Sequence, residues 1–453
     1  MELRKGPAST NVQLAPRVGF DRPLGGLTHH ARPLWKQYSL SLFMKNFVIQ
    51  PESLASPPTY LHRLEMALTE SEAKYSFVAV LDVVSAAFMF LRELSLPNEI
   101  RLLLHGKYCD TLSHLNKTLA YFPGCGLLPT SVFLLAIYQM TTSTSPEERG
   151  WKMHLDGILA LLKQESQLRS PYINKDFGAF VKNCILADNL DWNGHLEVSS
   201  DCLTQSHLFL SLLVFQLRKL TPEMDDVFRG PKTPRKLEVL KLHNIVKRIY
   251  KDLTLLPNIM PAGTKRTVLV QVSPAYQDQS FQPGPSNEYE IYTNIHVAYM
   301  WNIFRTMVII CGSFLLQSGR FLESKDSDDA KKFKDVAQAV LGAVDSTCAS
   351  VPFFLFDGNL SRLQDSQHLS DYSIKALHGL LLIWPLYTSS QVPSIPDVQR
   401  EWIKGVLSDI GIRGCIPKAS ALAISTPEEF SYSDAVAGSL LLNLGFFIMS
   451  GPS

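Results

Sequence analysis

Apolar residues that return every three and four positions constrain this chain more than any other feature of its sequence. Phe333, Val336, Ala337, Val340, Leu341, Val344 and Cys348 share one face of a helical wheel, with Lys331, Lys334 and Asp335 elsewhere. Val297, Met300, Trp301, Phe304, Met307, Val308 and Cys311 repeat the pattern. A further helix bracketed by Pro396 and Gly411 carries Val398, Trp402, Val406 and Ile410 on one stripe. Such stripes bury themselves against other helices, so they predict packing rather than a cofactor box. The fold class they predict is all-α, a single large helical bundle or array over residues 59–453. No repeat of fixed period emerges, which sets helical-repeat solenoids aside.

Three helix starts are written into the sequence. Ser145-Pro146-Glu147-Glu148 offers an N-cap hydroxyl, a proline at the first helical position and a glutamate that can reach back, a capping box. Thr426-Pro427-Glu428-Glu429 repeats it, and Thr221-Pro222-Glu223 is a weaker copy. Each early carboxylate suits the positive end of a helix dipole.

Residues 1–58 differ. Prolines at 7, 16, 23, 33, 51, 57 and 58 interrupt any long element, and basic residues outnumber acidic ones. Such a segment buries too little apolar surface to offset its ordering entropy, so it reads as a flexible, mildly basic tail. Only Leu40 to Ile49 is apolar enough to dock on a folded body. Residues 257–287 are a second irregular stretch, with prolines at 257, 261, 274, 283 and 285. Thr267 to Val272 alternates as a short strand would, but offers too little for a sheet. The apolar stretch Ala435 to Ser450 is shorter than the roughly 18–20 residues a bilayer span needs. It reads as a buried terminal helix, and no membrane partner is expected.

The charge balance, 43 basic against 42 acidic residues, points to no nucleic-acid or membrane surface on average. The seven cysteines include no Cys-x-x-Cys and lack the short spacing of structural zinc sites. They read as small buried hydrophobes in a reducing compartment.

The search for chemistry ends without a catalytic, cofactor-binding or metal residue to nominate. Asp225-Asp226 runs into Val-Phe-Arg and Asp328-Asp329 into Ala-Lys-Lys, neither of which suits magnesium diphosphate chemistry. Both pairs read as solvated helix ends. Nucleophile-elbow, phosphate-loop, dinucleotide and zinc-protease motifs are absent from the sequence. Gly124-Cys125-Gly126 reads as a turn between helices. His154 lies beside the stripe Trp151, Leu155, Ile158 and Leu162, where a histidine is usually a hydrogen-bonded packing residue. Gly157 costs its helix about 1 kcal/mol relative to alanine, which implies a close neighbour.

Several segments, taken in order, resemble the C-terminal regulatory domain of fungal binuclear-zinc-cluster transcription factors. They are Trp151-x-x-His154-x-x-Gly157-x-x-x-Leu161-Leu162, Tyr299-Met-Trp301-Asn302-Ile-Phe304-Arg305, Cys348-Ala-Ser-Val351-Pro352-Phe353, Gly379 to Tyr387 around Trp384-Pro385, and Arg400-Glu-Trp402-Ile403 leading to Ile410-Gly411. The resemblance implies an all-α domain that modulates transcription through self-association, protein partners or a small-molecule effector. It departs from the family in two places. Residues 1–60 contain no cysteine where six would form the zinc cluster, and Lys163-Gln-Glu-Ser follows the Trp-His-Gly helix where Arg-Gly would be usual. The expectation is therefore a nuclear transcriptional regulator, not an enzyme, with a metabolic gene set as its target. It would form homo- or heterodimers and reach DNA only indirectly, unless an upstream zinc cluster precedes Met1. The alternative is a helical small-molecule-binding protein or an enzyme of unknown reaction.

Overall fold

The computed structural model describes residues 31–49, 60–61, 64–68, 74–93, 98–121, 126–145, 147–164, 202–230, 234–261, 265–269, 288–322, 327–356 and 374–448. Expectations for Cys125, Cys184, residues 270–287 and the first thirty residues lie outside this set. The described fold is all-α, with one two-stranded ribbon. In chain order its helices are α1 (Ala31–Phe47), α2 (Leu64–Ala67), α3 (Lys74–Glu93), α4 (Asn98–Tyr121), α5 (Leu128–Thr142) and α6 (Gly150–Gln164). They continue with α7 (Cys202–Arg229), α8 (Lys236–Leu253) and α9 (Leu256–Ile259). After strands β1 (Lys265–Leu269) and β2 (Glu288–Tyr292) come α10 (Ile295–Leu322), α11 (Ser327–Leu355), α12 (Ala376–Ser390), α13 (Asp397–Arg413), α14 (Pro417–Ala423) and α15 (Tyr432–Leu444).

One contiguous apolar core runs from Phe43 to Ile448. Its centre is α10, which packs against α7, α8, α11, α12 and α15 and is buried on nearly every side. A helix enclosed in this way needs no polar face, which explains why Trp301 and Phe304 join an already wide apolar stripe. By length and composition, α10 and the Lys331–Leu355 part of α11 could each cross a bilayer, but 78% and 67% of their apolar windows are buried inside the protein. That is the signature of core helices. The terminal apolar stretch forms α15, buried along its whole length.

Close approach sets the packing of α15 on α12. A Cβ on Gly438 would overlap the indole of Trp384, and one on Gly445 would overlap the ring of Tyr60. Gly438→Ala should therefore cost about 1–3 kcal/mol, the usual penalty of overpacking a close-packed core, read as a lower thermal midpoint with the circular dichroism spectrum unchanged.

Several local expectations give way to tertiary contacts. Ser145 to Glu148 starts no helix. Glu147 N–H donates to Ser145 Oγ (3.2 Å) and Thr144 N–H to Glu148 Oε2 (3.1 Å), which closes a turn, and α6 begins at Gly150. The carbonyls of Ser145 and Glu148 are taken instead by the buried ammonium of Lys418 on α14, at 2.8 and 3.1 Å. Burial lowers the pKa of that ammonium to about 8. Thr426 to Glu429 does make its capping box, with Thr426 N–H donating to Glu429 (2.8 Å), but the element it opens is a single 3-10 turn.

Thr221-Pro222 lies inside α7 rather than at its start. Proline cannot donate to the carbonyl four residues back, here Arg218. The Thr221 hydroxyl donates to that oxygen at 3.0 Å and lets the helix continue. Gly411 likewise ends nothing, since α13 runs on to Arg413 and Gly411 is the point where Ser420 approaches. Val398 is 81% exposed, and the buried face of α13 is carried by Gln399, Ile403, Val406, Leu407 and Ile410. Steps of four drift by about 40° each at 3.6 residues per turn, so a stripe built only on such steps leaves the buried face.

Asp225 is not a solvated helix end. Its carboxylate accepts Tyr432 N–H (2.8 Å), Ser433 N–H (3.0 Å) and Ser431 Oγ (2.9 Å), capping α15 from another helix. Amides at a helix start lack intrahelical acceptors and carry the positive dipole end. Asp225→Ala is expected to cost about 1–2 kcal/mol, the range for a lost cap, and Asp225→Asn less. Urea midpoints would show both.

Within the segment expected to be a flexible tail, residues 31–49 are ordered, with α1 packed on α3. Pro33 falls in the first turn, where a missing N–H costs nothing. Phe43 and Phe47 are fully buried, and Phe47 meets Phe88 edge-on at 5.0 Å.

Candidate functional site

Three groupings of polar or accessible side chains stand out, and two lie largely inside the protein. The first holds the strand ribbon onto the core, a sheet the sequence alone did not support. β1 and β2 pair antiparallel with Lys265 opposite Tyr292 and Thr267 opposite Glu290, so Lys265, Glu290 and Tyr292 share a face. That face lies against α10 and α11. Glu290 and Arg305 form an ion pair with side chains only 4% and 3% exposed. Tyr292 Oη also donates to Glu290, and Lys265 Nζ donates to it at 2.9 Å. Arg305 Nη1 donates to Tyr292 Oη (2.8 Å) and Asn302 Oδ1 (2.9 Å), and Asn302 Nδ2 donates to Ser350 Oγ (3.0 Å).

Burial alone would raise the Glu290 carboxyl, but Arg305, the Tyr292 hydrogen bond and Lys265 hold it below its ordinary value. Burial pushes the Tyr292 phenol up, so it remains a donor. Lys265 lies 4.8 Å from the Trp301 ring centre. Trp301, Asn302 and Arg305, quoted above for the family resemblance, thus hold architecture here. Lys265, its side chain 27% exposed, is the edge of this network that meets solvent, while Glu290 and Arg305 are enclosed.

The second grouping joins α7, α10 and α15. Asn443 Nδ2 donates to Ser211 Oγ (2.8 Å), which leaves Asn443 Oδ1 to accept His207 Nε2–H at 2.6 Å. His207 Nδ1 then accepts from His296 Nε2–H at 2.8 Å. Both rings are therefore neutral Nε2–H tautomers, and Phe447 stacks on His207 at 4.1 Å. Burial lowers the His207 pKa to about 4, with the Asn443 hydrogen bond opposing it, and burial together with His207 puts His296 well below its ordinary value. His154 belongs to a smaller pair of the same kind. It bonds Tyr108 Oη at 2.7 Å, and burial lowers its pKa to about 4. A Cβ added to Gly157 would meet Val132 of α5 at 3.5 Å, an ordinary van der Waals contact, so no approach closer than usual calls for the glycine there.

The third grouping is open to solvent. α1 and α4 both pack on α3 and flank a cleft of about 680 Å³ whose floor is α3. Apolar side chains from all three helices line it, among them Trp35, Val83, Met89, Phe90, Leu103 and Leu104. The exposed ion pair Lys36–Asp82, together with Lys107 and Asp110, brings charge to its edge, and His114 adds a polar ring. Ser39 and Thr111 add hydroxyls to this lining. Among the described residues no three His, Cys, Asp or Glu side chains come together to hold a metal ion. Of the described thiols, Cys311 and Cys348 are buried, with burial raising the thiol of each, whereas Cys109 is exposed and Cys415 half-buried.

No protein-family model matches the chain. No solved structure matches it. The chain is similar to a fungal transcription factor. It is 22% identical over 424 residues to the transcription factor dbaG of Emericella nidulans, across 92% of this chain and 97% of that protein.

Sequence reasoning nominated none of the cleft residues. Of its α4 lining, Leu103 is 44% exposed and Leu104 3%, a difference that only the fold sets. The His207–His296 pair left no trace, because its members lie 89 positions apart.

Proposed function

We propose that this protein is a transcriptional regulator that acts in the nucleus through protein partners rather than as an enzyme. The observation that carries the reading is the similarity to a curated transcription factor along nearly the whole of both chains. The ordered motifs around Trp151, Trp301, Trp384 and Trp402 support it, since they resemble one family's regulatory domain. Residues 1–60 contain no cysteine, so on this reading a partner, or a segment upstream of Met1, supplies contact with DNA. Dimerisation with a second copy or a related factor fits the same reading, and a metabolic gene set is the proposed target.

The test has two arms. A fluorescent fusion should enter nuclei under at least one growth condition, and deletion of the gene should change the transcripts of a coherent gene set. Exclusion from nuclei under every condition, or an unchanged transcriptome, would refute the proposal. Affinity capture of the tagged protein from native extract would then name the DNA-contacting partner. The open cleft keeps a second reading in view, that of a small-molecule-binding protein.

A further inference from the structure

We infer that the cleft between α1, α3 and α4 is a binding site for a small, electrically neutral, amphipathic molecule with an aromatic or alkyl body and a hydrogen-bonding end. The inference rests on the cleft alone and does not depend on a role in transcription. Its volume of about 680 Å³ falls within the roughly 300–1,000 Å³ typical of small-molecule sites. The floor is firm, with Val83, Met89 and Phe90 at 4%, 2% and 6% exposure. Its walls, α1 and α4, pack on α3 rather than on each other.

The two ends differ in chemistry. Thr118 Oγ1 donates to His114 O, so the 2.5 Å contact between Ser76 and Thr118 is a hydrogen bond from Ser76, and α3 and α4 run antiparallel. That register sets Phe90 near Leu104 at one end and Ala79 near His114 at the other. Trp35 stacks with Phe90 at 6.0 Å, completing an apolar end lined by Met89, Leu103 and Leu104. Asp82, Asp110, Thr111 and His114 line the opposite end. The formal charges on the lining, Lys36 and Lys107 against Asp82 and Asp110, cancel, so neither an anionic nor a cationic head is favoured. The Lys36–Asp82 pair keeps 67% and 37% of its side-chain surface wet. A partner's helix laid along the cleft would desolvate that pair at a cost, whereas a small molecule seated at the apolar end leaves it in water.

The probe is N-phenyl-1-naphthylamine, a neutral aromatic amine whose fluorescence rises in apolar surroundings, titrated into the purified full chain. Saturable binding at one site is expected. Ala86→Trp, which fills the cleft from α3, and Leu103→Asp, which charges its apolar end at an already exposed position, should each weaken binding at least tenfold. Val398→Asp, on a distant exposed surface, should leave it unchanged. Leu103→Asp keeps the test decisive if Ala86→Trp fails to fold. 1-Decanol should displace the probe at concentrations at least tenfold lower than decanoate. An absence of binding, or binding undiminished in folded cleft variants, overturns the site. Equal displacement by decanol and decanoate overturns the neutral class. No transcript is measured, so failure here leaves the regulatory reading standing.

Discussion

Arg305→Ala is expected to lower the unfolding free energy by about 3–5 kcal/mol, the cost of stranding one member of a buried ion pair. Glu290 would keep Tyr292 and Lys265, but the guanidinium that neutralises it is 2% exposed and no water replaces it easily. Tyr292 and Asn302 would each lose a donor at the same time. Replacing both partners separates the pair's net worth from the cost of breaking it. Glu290→Leu with Arg305→Leu should recover most of the loss, because two apolar groups need no partner. Urea unfolding followed by circular dichroism gives both numbers. A single variant within about 1 kcal/mol of the parent would mean that the ribbon is not anchored by this pair.

Acid is expected to produce the second large effect. His207 ionises near pH 4 in the folded protein, against about 6.5 when unfolded. Above pH 6.5 both states are neutral there, and the full stability is present. As pH falls from 6.5 toward 4, the unfolded chain takes up a proton that the folded chain refuses, and stability is lost. At about 1.36 kcal/mol per unit, His207 alone accounts for roughly 3 kcal/mol over that window. His154 and His296 shift in the same direction, each through burial first. The geometry gives the same sign, since a proton on His207 Nδ1 would face the N–H of His296. His207→Gln should lower stability at both pH values, yet its loss between pH 7.5 and 5.0 should be smaller than the parent's by about 2 kcal/mol. An identical loss in parent and variant would clear His207 of the effect.

Legibility in the sequence followed the range of the interaction. The stripe on α11 is legible because Val340, Val344 and Cys348 are one helical turn apart and need only one common partner surface. The Thr221-Pro222 start was misread because local grammar cannot show that a hydroxyl will replace the missing N–H within a longer helix. β2 escaped notice for a related reason. Glu288-Tyr-Glu-Ile-Tyr292 places a carboxylate on its buried face, and Arg305, fifteen positions on, does most to make that burial tolerable, with Tyr292 and Lys265 beside it. The candidate cleft was less legible still, because its lining comes from three helices whose individual patterns are unremarkable.

What the sequence determined by itself is the all-α character of the chain, the buried stripes of α10 and α11 and the apolar nature of α15. Each follows from periodicity and composition within one segment. The tertiary structure alone decided where the polar groups went. Lys418 holds the Ser145–Glu148 turn across more than 250 positions, Asp225 caps a helix more than 200 positions away, and two distant histidines share a hydrogen bond. It also decided that α1 and α4 stand apart on α3 and leave a cleft between them. Helical periodicity is a property of neighbours three and four residues apart. Hydrogen-bond partners and empty space are properties of segments that meet only when the chain has folded.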